Sequence, residues 1–147
     1  MNTGEYAVKP AHHLVASTAV SGVLYAVTRD TGLAVAAAFS GVFLDLDHIP
    51  DYLVETRSSR SLSDFFEACN QSELGKAYLV LHAWEWLVVA GVALALSGES
   101  GISLGLFIGT LHHMLLDQAG NRVHPLGYLF LWRSAKGFDR GTVFPPT

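Results

Sequence analysis

Cysteine is almost missing from this chain: Cys69 stands alone among 147 residues. No internal disulfide can form and no cysteine pair offers a zinc knuckle, a pattern that fits a reducing intracellular setting. Charge is scarce as well. Asp, Glu, Lys and Arg make up 15% of the residues, where soluble domains carry about a quarter, so a membrane setting becomes an expectation. The few Lys and Arg form no dense run and the net charge is -4, which argues against a nucleic-acid partner. Internal repeats and low-complexity tracts are absent, and no proline interrupts an apolar segment beyond its first residue. Glu5 and Lys9 precede the first apolar stretch without a cleavage site after it, so that stretch is read as retained.

What is present is apolar: half of the residues are hydrophobic, enough for a substantial core in one domain, 1–147. Four segments stand out at about 10–28, 31–46, 77–96 and 101–116, rich in Ala, Leu and Val and longer than strands. They predict four helices. Only the third approaches the ~20 residues that cross a bilayer comfortably, and Gly32 to Leu44 of the second falls short at ~1.5 Å per residue. The stretch 51–76 reads as a polar loop, with Asp64-Phe-Phe-Glu67 as a short amphipathic helix capped by Ser63. Residues 125–133 hold Tyr128, Phe130 and Trp132 and predict a short helix at the membrane interface, and the tail from Gly141 reads as irregular. The fold expected is all-α, a four-helix transmembrane bundle with a C-terminal interfacial helix.

In a four-pass arrangement Lys9, Arg57, Arg60, Lys76, Arg122, Arg133, Lys136 and Arg140 share one side, and Arg29 alone lies on the other. That asymmetry predicts an integral protein of the cytoplasmic membrane with both termini and the long loop in the cytoplasm. The same side collects the histidines. His12 and His13 open the first segment, Asp45, Asp47 and His48 close the second, His82 and Glu85 start the third, and His112, His113 and Asp117 close the fourth. Imidazoles and carboxylates are the ligands of zinc, manganese and iron, so this layer predicts a metal site.

Asp45 and His48 share a helical face at i, i+3, while Asp47 and Asp51 share the neighbouring one at i, i+4. Pro50 should end that helix. His82 and Glu85 lie one turn apart inside an apolar stretch, where ionisable groups need a partner, a cavity or a metal. Gly109, His113 and Asp117 follow one i, i+4 row, and Gly105 and Gly109 let another helix approach closely. His112 points about 100° away from that row. Between His12 and His13 the sequence does not choose cleanly, although His13 shares a small polar face with Ser17 and Ser21. His124 can approach from the C-terminal side, and Arg122 or Arg133 is placed to receive a phosphate.

Together these residues resemble the membrane-bound metal-dependent hydrolases of the YdjM-like group, themselves similar to zinc-dependent phospholipase C. Asp45-Leu-Asp47-His48 and His113-Met-Leu-Leu-Asp117 carry the resemblance, which runs from about His12 to Asp117. Leu44 stands where that group has proline, and Leu-His82-Ala-Trp-Glu85 replaces its central string His-Arg-x-x-Thr-His-Ser. The resemblance implies divalent metal, and hydrolysis at the cytoplasmic membrane face.

The expected ligands are therefore His13, Asp45, Asp47, His48, His82, His113 and Asp117, with Zn²⁺ ahead of manganese or iron. Asp47 and Glu85 are the expected catalytic carboxylates, Glu85 as general base. A bound metal brings the pKa of its water to about 7, which permits hydrolysis of a lipid-linked phosphoester at neutral pH. The alternative is a non-enzymatic metal-binding or transport bundle. Haem fits poorly beside so many carboxylates.

Overall fold

A computed structural model describes residues 8–56, 75–98 and 100–145. Arg57, Arg60, the expected Ser63-capped helix and Cys69 lie outside the described residues. The all-α expectation holds: among the described residues every element is helical, with one isolated bridge between Lys76 and Asp139.

Helix α1 (Pro10–Thr28) starts with proline at its first position, where a missing N–H is harmless. It stops at Arg29, which turns left-handed at φ 58°. Asp30 then caps α2 (Thr31–Phe43), accepting the Leu33 amide at 3.0 Å. Unlike the sequence expectation, this helix does not end near residue 46. A 3₁₀ turn, Leu44–Asp47, passes directly into α3 (His48–Thr56). Pro50 falls in the first turn of α3, where it blocks nothing, so the start of the supposed loop is helical.

The third long helix is also shorter than expected, α4 (Trp84–Ser97) instead of 77–96. Residues 77–83 leave the helical path because their amides are taken by side chains from the Asp47–Asp51 stretch, and Leu79 adopts φ 42°. Helix α5 (Gly101–Gly120) is capped by Ser100 and runs a turn beyond the expected end. The C-terminal part folds as a turn at 125–128 and a short α6 (Phe130–Ala135), then α7 (Arg140–Val143), where an irregular tail was expected. Asp139 stabilises α7 by accepting the Thr142 amide at 2.8 Å.

Helix α2 forms the centre, packing most extensively on α5 and then on α1, while α4 packs more lightly on α5. The α2–α5 approach depends on glycine. A Cβ at Gly105 would collide with the Leu33 carbonyl, and one at Gly109 with the Ala37 carbonyl and Ser40 Oγ. The outer faces stay apolar and uncovered, as at Val23, Val27, Val35, Phe39, Val88, Val92 and Leu96. Among the described residues the continuous helical stretch Thr31–Val54, 24 residues long, is the one long and apolar enough to cross a membrane. α4, expected to be nearest that length, has 14 residues.

Candidate metal centre

Alternation of helix direction brings the start of α1, the end of α2, the approach to α4 and the end of α5 to one end of the molecule. Ligand atoms from His13, Asp45, His113 and Asp117 all lie within 4.8 Å of one another, and so do those of a second set, Asp45, His48 and His82. Asp45 belongs to both. His13, His82, His113 and Asp117 are buried, whereas the side chains of Asp45 and His48 retain 22% and 28% exposure.

Two histidines have their proton positions set by partners that can only accept. His113 Nδ1 lies 2.8 Å from the Gly41 carbonyl and His82 Nδ1 lies 3.2 Å from the Asp47 carboxylate. Both Nδ1 atoms must donate, so in the neutral rings both Nε2 atoms carry lone pairs. These two Nε2 atoms face each other at 3.2 Å. Two facing acceptors need a cation or a proton between them. Asp45 Oδ1, at 3.6 Å from His82 Nε2 and 3.4 Å from His113 Nε2, adds charge at the same point, as does Asp117 Oδ2 at 3.4 and 3.6 Å. The donor set, nitrogen and carboxylate oxygen with outer hydrogen bonds fixing the rings, suits a divalent ion of the zinc class.

Asp117 is held from its other side. Its Oδ1 accepts from His13 Nε2 at 3.0 Å and from Asn121 Nδ2 at 3.0 Å, which leaves Oδ2 toward the centre. The Asn121 amide also donates to the Tyr128 hydroxyl at 2.9 Å. Burial, together with the nearby Asp117 charge, pushes the Tyr128 phenol up from its ordinary value, so it stays neutral. His13 stacks on His113 with centroids 3.7 Å apart, and its Nδ1 is buried without a partner.

The segment that carries His82 is clamped on both sides. Asp51 accepts the amides of Tyr78 and Leu79 at 2.8 and 3.1 Å, and Asp47 those of Leu81 and His82 at 2.7 and 3.2 Å. Across the segment Arg133, fully buried, donates to the carbonyls of Leu79, His82 and Gly127 at 2.8, 2.9 and 2.8 Å. Burial holds the Arg133 guanidinium below its ordinary pKa, opposed by the charges of Glu85 and Asp47. For His82 burial works against the charged ring, but the Asp45 and Asp47 carboxylates outweigh it and the pKa lies above the usual histidine range.

Of the expected ligands, then, His13, Asp45, His48, His82, His113 and Asp117 converge. Asp47 stands one step out and orients His82. Glu85 is elsewhere: its two oxygens accept the Phe130 and Leu131 amides at 3.0 and 3.1 Å and cap α6, so it lies outside both ligand sets. His12 Nδ1 accepts the Lys9 amide at the start of α1. His112 Nε2 pairs with Ser17 Oγ at 3.0 Å, beside Gly41, where a Cβ would strike the imidazole. His124 stacks on Trp132 and accepts the Leu126 amide, away from the centre. Arg133 is spent on carbonyls and does not receive a phosphate, while Arg122 is exposed.

Asn121 and Tyr128 escaped the sequence reading. Asn121 sits one turn beyond Asp117 and was legible in principle, whereas Tyr128 and Arg133 reach the centre only through the fold of the C-terminal turn. Comparison with models of protein families, with curated proteins and with solved structures returns no match to this chain.

Proposed function

We propose that this chain is a metal-dependent hydrolase of the YdjM-like kind, working at the cytoplasmic face of a membrane on a lipid-linked phosphoester. The observation that carries the reading is the pair of facing Nε2 atoms of His82 and His113, flanked by Asp45 and Asp117. His13, Asp45, His113 and Asp117 form one candidate ligand set and Asp45, His48 and His82 another, with Asp45 shared, and together they would hold one or two ions around the facing His82 and His113 Nε2 atoms. The ions, zinc by preference, would supply Lewis acidity that activates water near neutral pH and polarises a phosphoryl oxygen.

The protein's own residues do the placing. Gly41 and Asp47 fix the rings of His113 and His82, and Asn121 orients Asp117. Asp45 and His48, the ligands with solvent access, mark the side from which substrate and water arrive. Glu85, expected to handle protons, has both oxygens engaged at α6 and is not placed for that role.

The membrane setting is supported by the uncovered apolar helix faces, the Thr31–Val54 stretch and the one-sided distribution of Lys and Arg. The rival, a metal carrier or transporter, gains from the complete burial of His13, His82 and His113.

The test is elemental mass spectrometry of the intact chain, purified from membranes in mild detergent, beside an Asp45→Ala, His113→Ala double variant. Stoichiometric zinc, manganese or iron in the parent and its loss in the variant is the expected result, followed by phosphoester turnover that Asp45→Ala abolishes. No metal in either protein refutes the hydrolase; metal without turnover of any phosphoester favours the carrier.

A further inference from the structure

Between α4 and α5 runs a half-open groove of about 410 Å³. Its walls are almost wholly apolar. The space exists because α4 leans on α5 loosely and presents the small side chains of Ala90 and Ala93 inward, opposite Leu106 and Phe107. Helix bundles commonly place ligands between helices in such clefts.

Two features distinguish this groove from an accidental gap. At one end it is lined by Leu44 and Leu81, the chain neighbours of the ligands Asp45 and His82. At the other it is lined by Ser97 and Ser103, which lie at the end of α4 and the start of α5, the opposite end of the molecule. From Leu87 to Ser97 the groove therefore follows α4 for about 15 Å, at ~1.5 Å per residue. It starts beside the metal centre and runs along the helices in the direction of the bilayer interior.

We infer that this groove binds a hydrocarbon chain of the substrate lipid, with the phosphate head at the Asp45–His82 end and the chain tip at Ser97 and Ser103. The inference rests on the hydrolase reading for what the head does, but the groove is tested separately. A chain in this position fixes the scissile head at the ligands with solvent access, and it explains why an apolar channel and a polar centre share the Leu44–Asp45 and Leu81–His82 junctions. It assigns Ala90 and Ala93 a role in specificity, since any larger residue there fills the channel.

The experiment uses two photoreactive phosphatidic acids in nonionic detergent micelles with the full chain. One carries a diazirine near the carbonyl end of its acyl chain, the other near the tip, and adducts are mapped by peptide mass spectrometry. The expected result is adducts near Leu44 and Leu87 from the first probe and near Leu94 and Ser103 from the second, both competed away by unlabelled phosphatidic acid. Ala93→Trp should abolish the second set, and Val23→Trp, on an uncovered face of α1, should leave both unchanged. Adducts spread evenly over outward residues such as Val23, Val27 and Val92, with no difference between the probes, would overturn the inference. The two-probe comparison needs no variant, so a folding defect in Ala93→Trp does not decide it. Metal content measured on the same samples separates the readings: stoichiometric metal with even labelling removes the groove alone, whereas ordered labelling without metal removes the hydrolase and keeps the groove.

Discussion

Replacing Arg133 by methionine tests whether the His82 segment is held in place or simply rests there. The substitution removes the donors to the Leu79, His82 and Gly127 carbonyls. A buried carbonyl left without a partner costs about 1–3 kcal/mol. The Leu79 carbonyl keeps the His82 amide at 3.0 Å, so the His82 and Gly127 carbonyls stranded together would cost roughly 2–6 kcal/mol, a large share of a domain's stability. The chain has a cheaper course. Leu79 occupies the left-handed region at φ 42°, which costs a residue with a side chain about 1–2 kcal/mol, so letting the segment swing outward relieves that strain and rehydrates the carbonyls. The segment should therefore move before the protein unfolds, and His82 moves with it. The expected outcome is a fall of about 3 kcal/mol in stability and a 10- to 100-fold weaker metal affinity, the usual effect of losing support behind a ligand. Arg133→Lys keeps the charge without the fork and should fall between parent and methionine variant. Zinc titration against a chromophoric chelator and thermal unfolding in detergent measure both quantities. Arg133→Met with parental affinity and midpoint would refute the clamp.

Other perturbations probe separate parts. Asp47→Asn should weaken zinc binding by about 10- to 100-fold with helix content intact, because His82 loses the carboxylate that fixes its ring; unchanged affinity in the same titration argues against that role. Glu85→Gln should retain full metal content and lose about 1 kcal/mol from the α6 cap, and a metal-free variant by elemental analysis would put Glu85 back in the centre. Gly109→Val drives a side chain into the Ala37 carbonyl and should destabilise by about 3 kcal/mol, the upper end for overpacking because backbone obstructs it; a parental thermal midpoint would contradict the close α2–α5 packing. The raised His82 pKa stabilises the metal-free fold below the unfolded histidine value, and that contribution fades as pH rises through the folded value. Metal must displace the proton, so as pH rises above the ordinary histidine range the metal-free midpoint should fall while zinc affinity rises; parallel slopes would show that His82 does not couple the two.

The helical character of the apolar segments, the shared end and most of the converging ligands were legible in the sequence because each rests on local spacing. His113 and Asp117 one turn apart, or Gly105 and Gly109 on one row, need only the α-helical period. His13 was favoured over His12 by the small face it shares with Ser17, and that face is buried. The start of α4 was not legible, since an apolar run from Ala77 favours helix until the carboxylates of Asp47 and Asp51, about thirty residues earlier, claim its amides. Glu85 was misplaced for the same reason. Its partners are backbone groups of Phe130 and Leu131, and no spacing rule announces them.

The four-residue 3₁₀ turn between α2 and α3 acts as a gear change. Each of its residues advances the chain about 20° more than an α-helical residue, about 80° in all, so α3 resumes on a different bearing from α2. That offset sends Asp45 to the side of the clustered histidines and Asp47 and Asp51 to the amides of the neighbouring segment. A surface loop absorbs an inserted residue, but here one insertion after Leu44 would turn everything downstream by about 100° and carry both aspartates off their bearings. The length of this stretch is thus as firmly constrained as the identity of its aspartates, and a lineage that kept every ligand but changed the count between them would lose the centre.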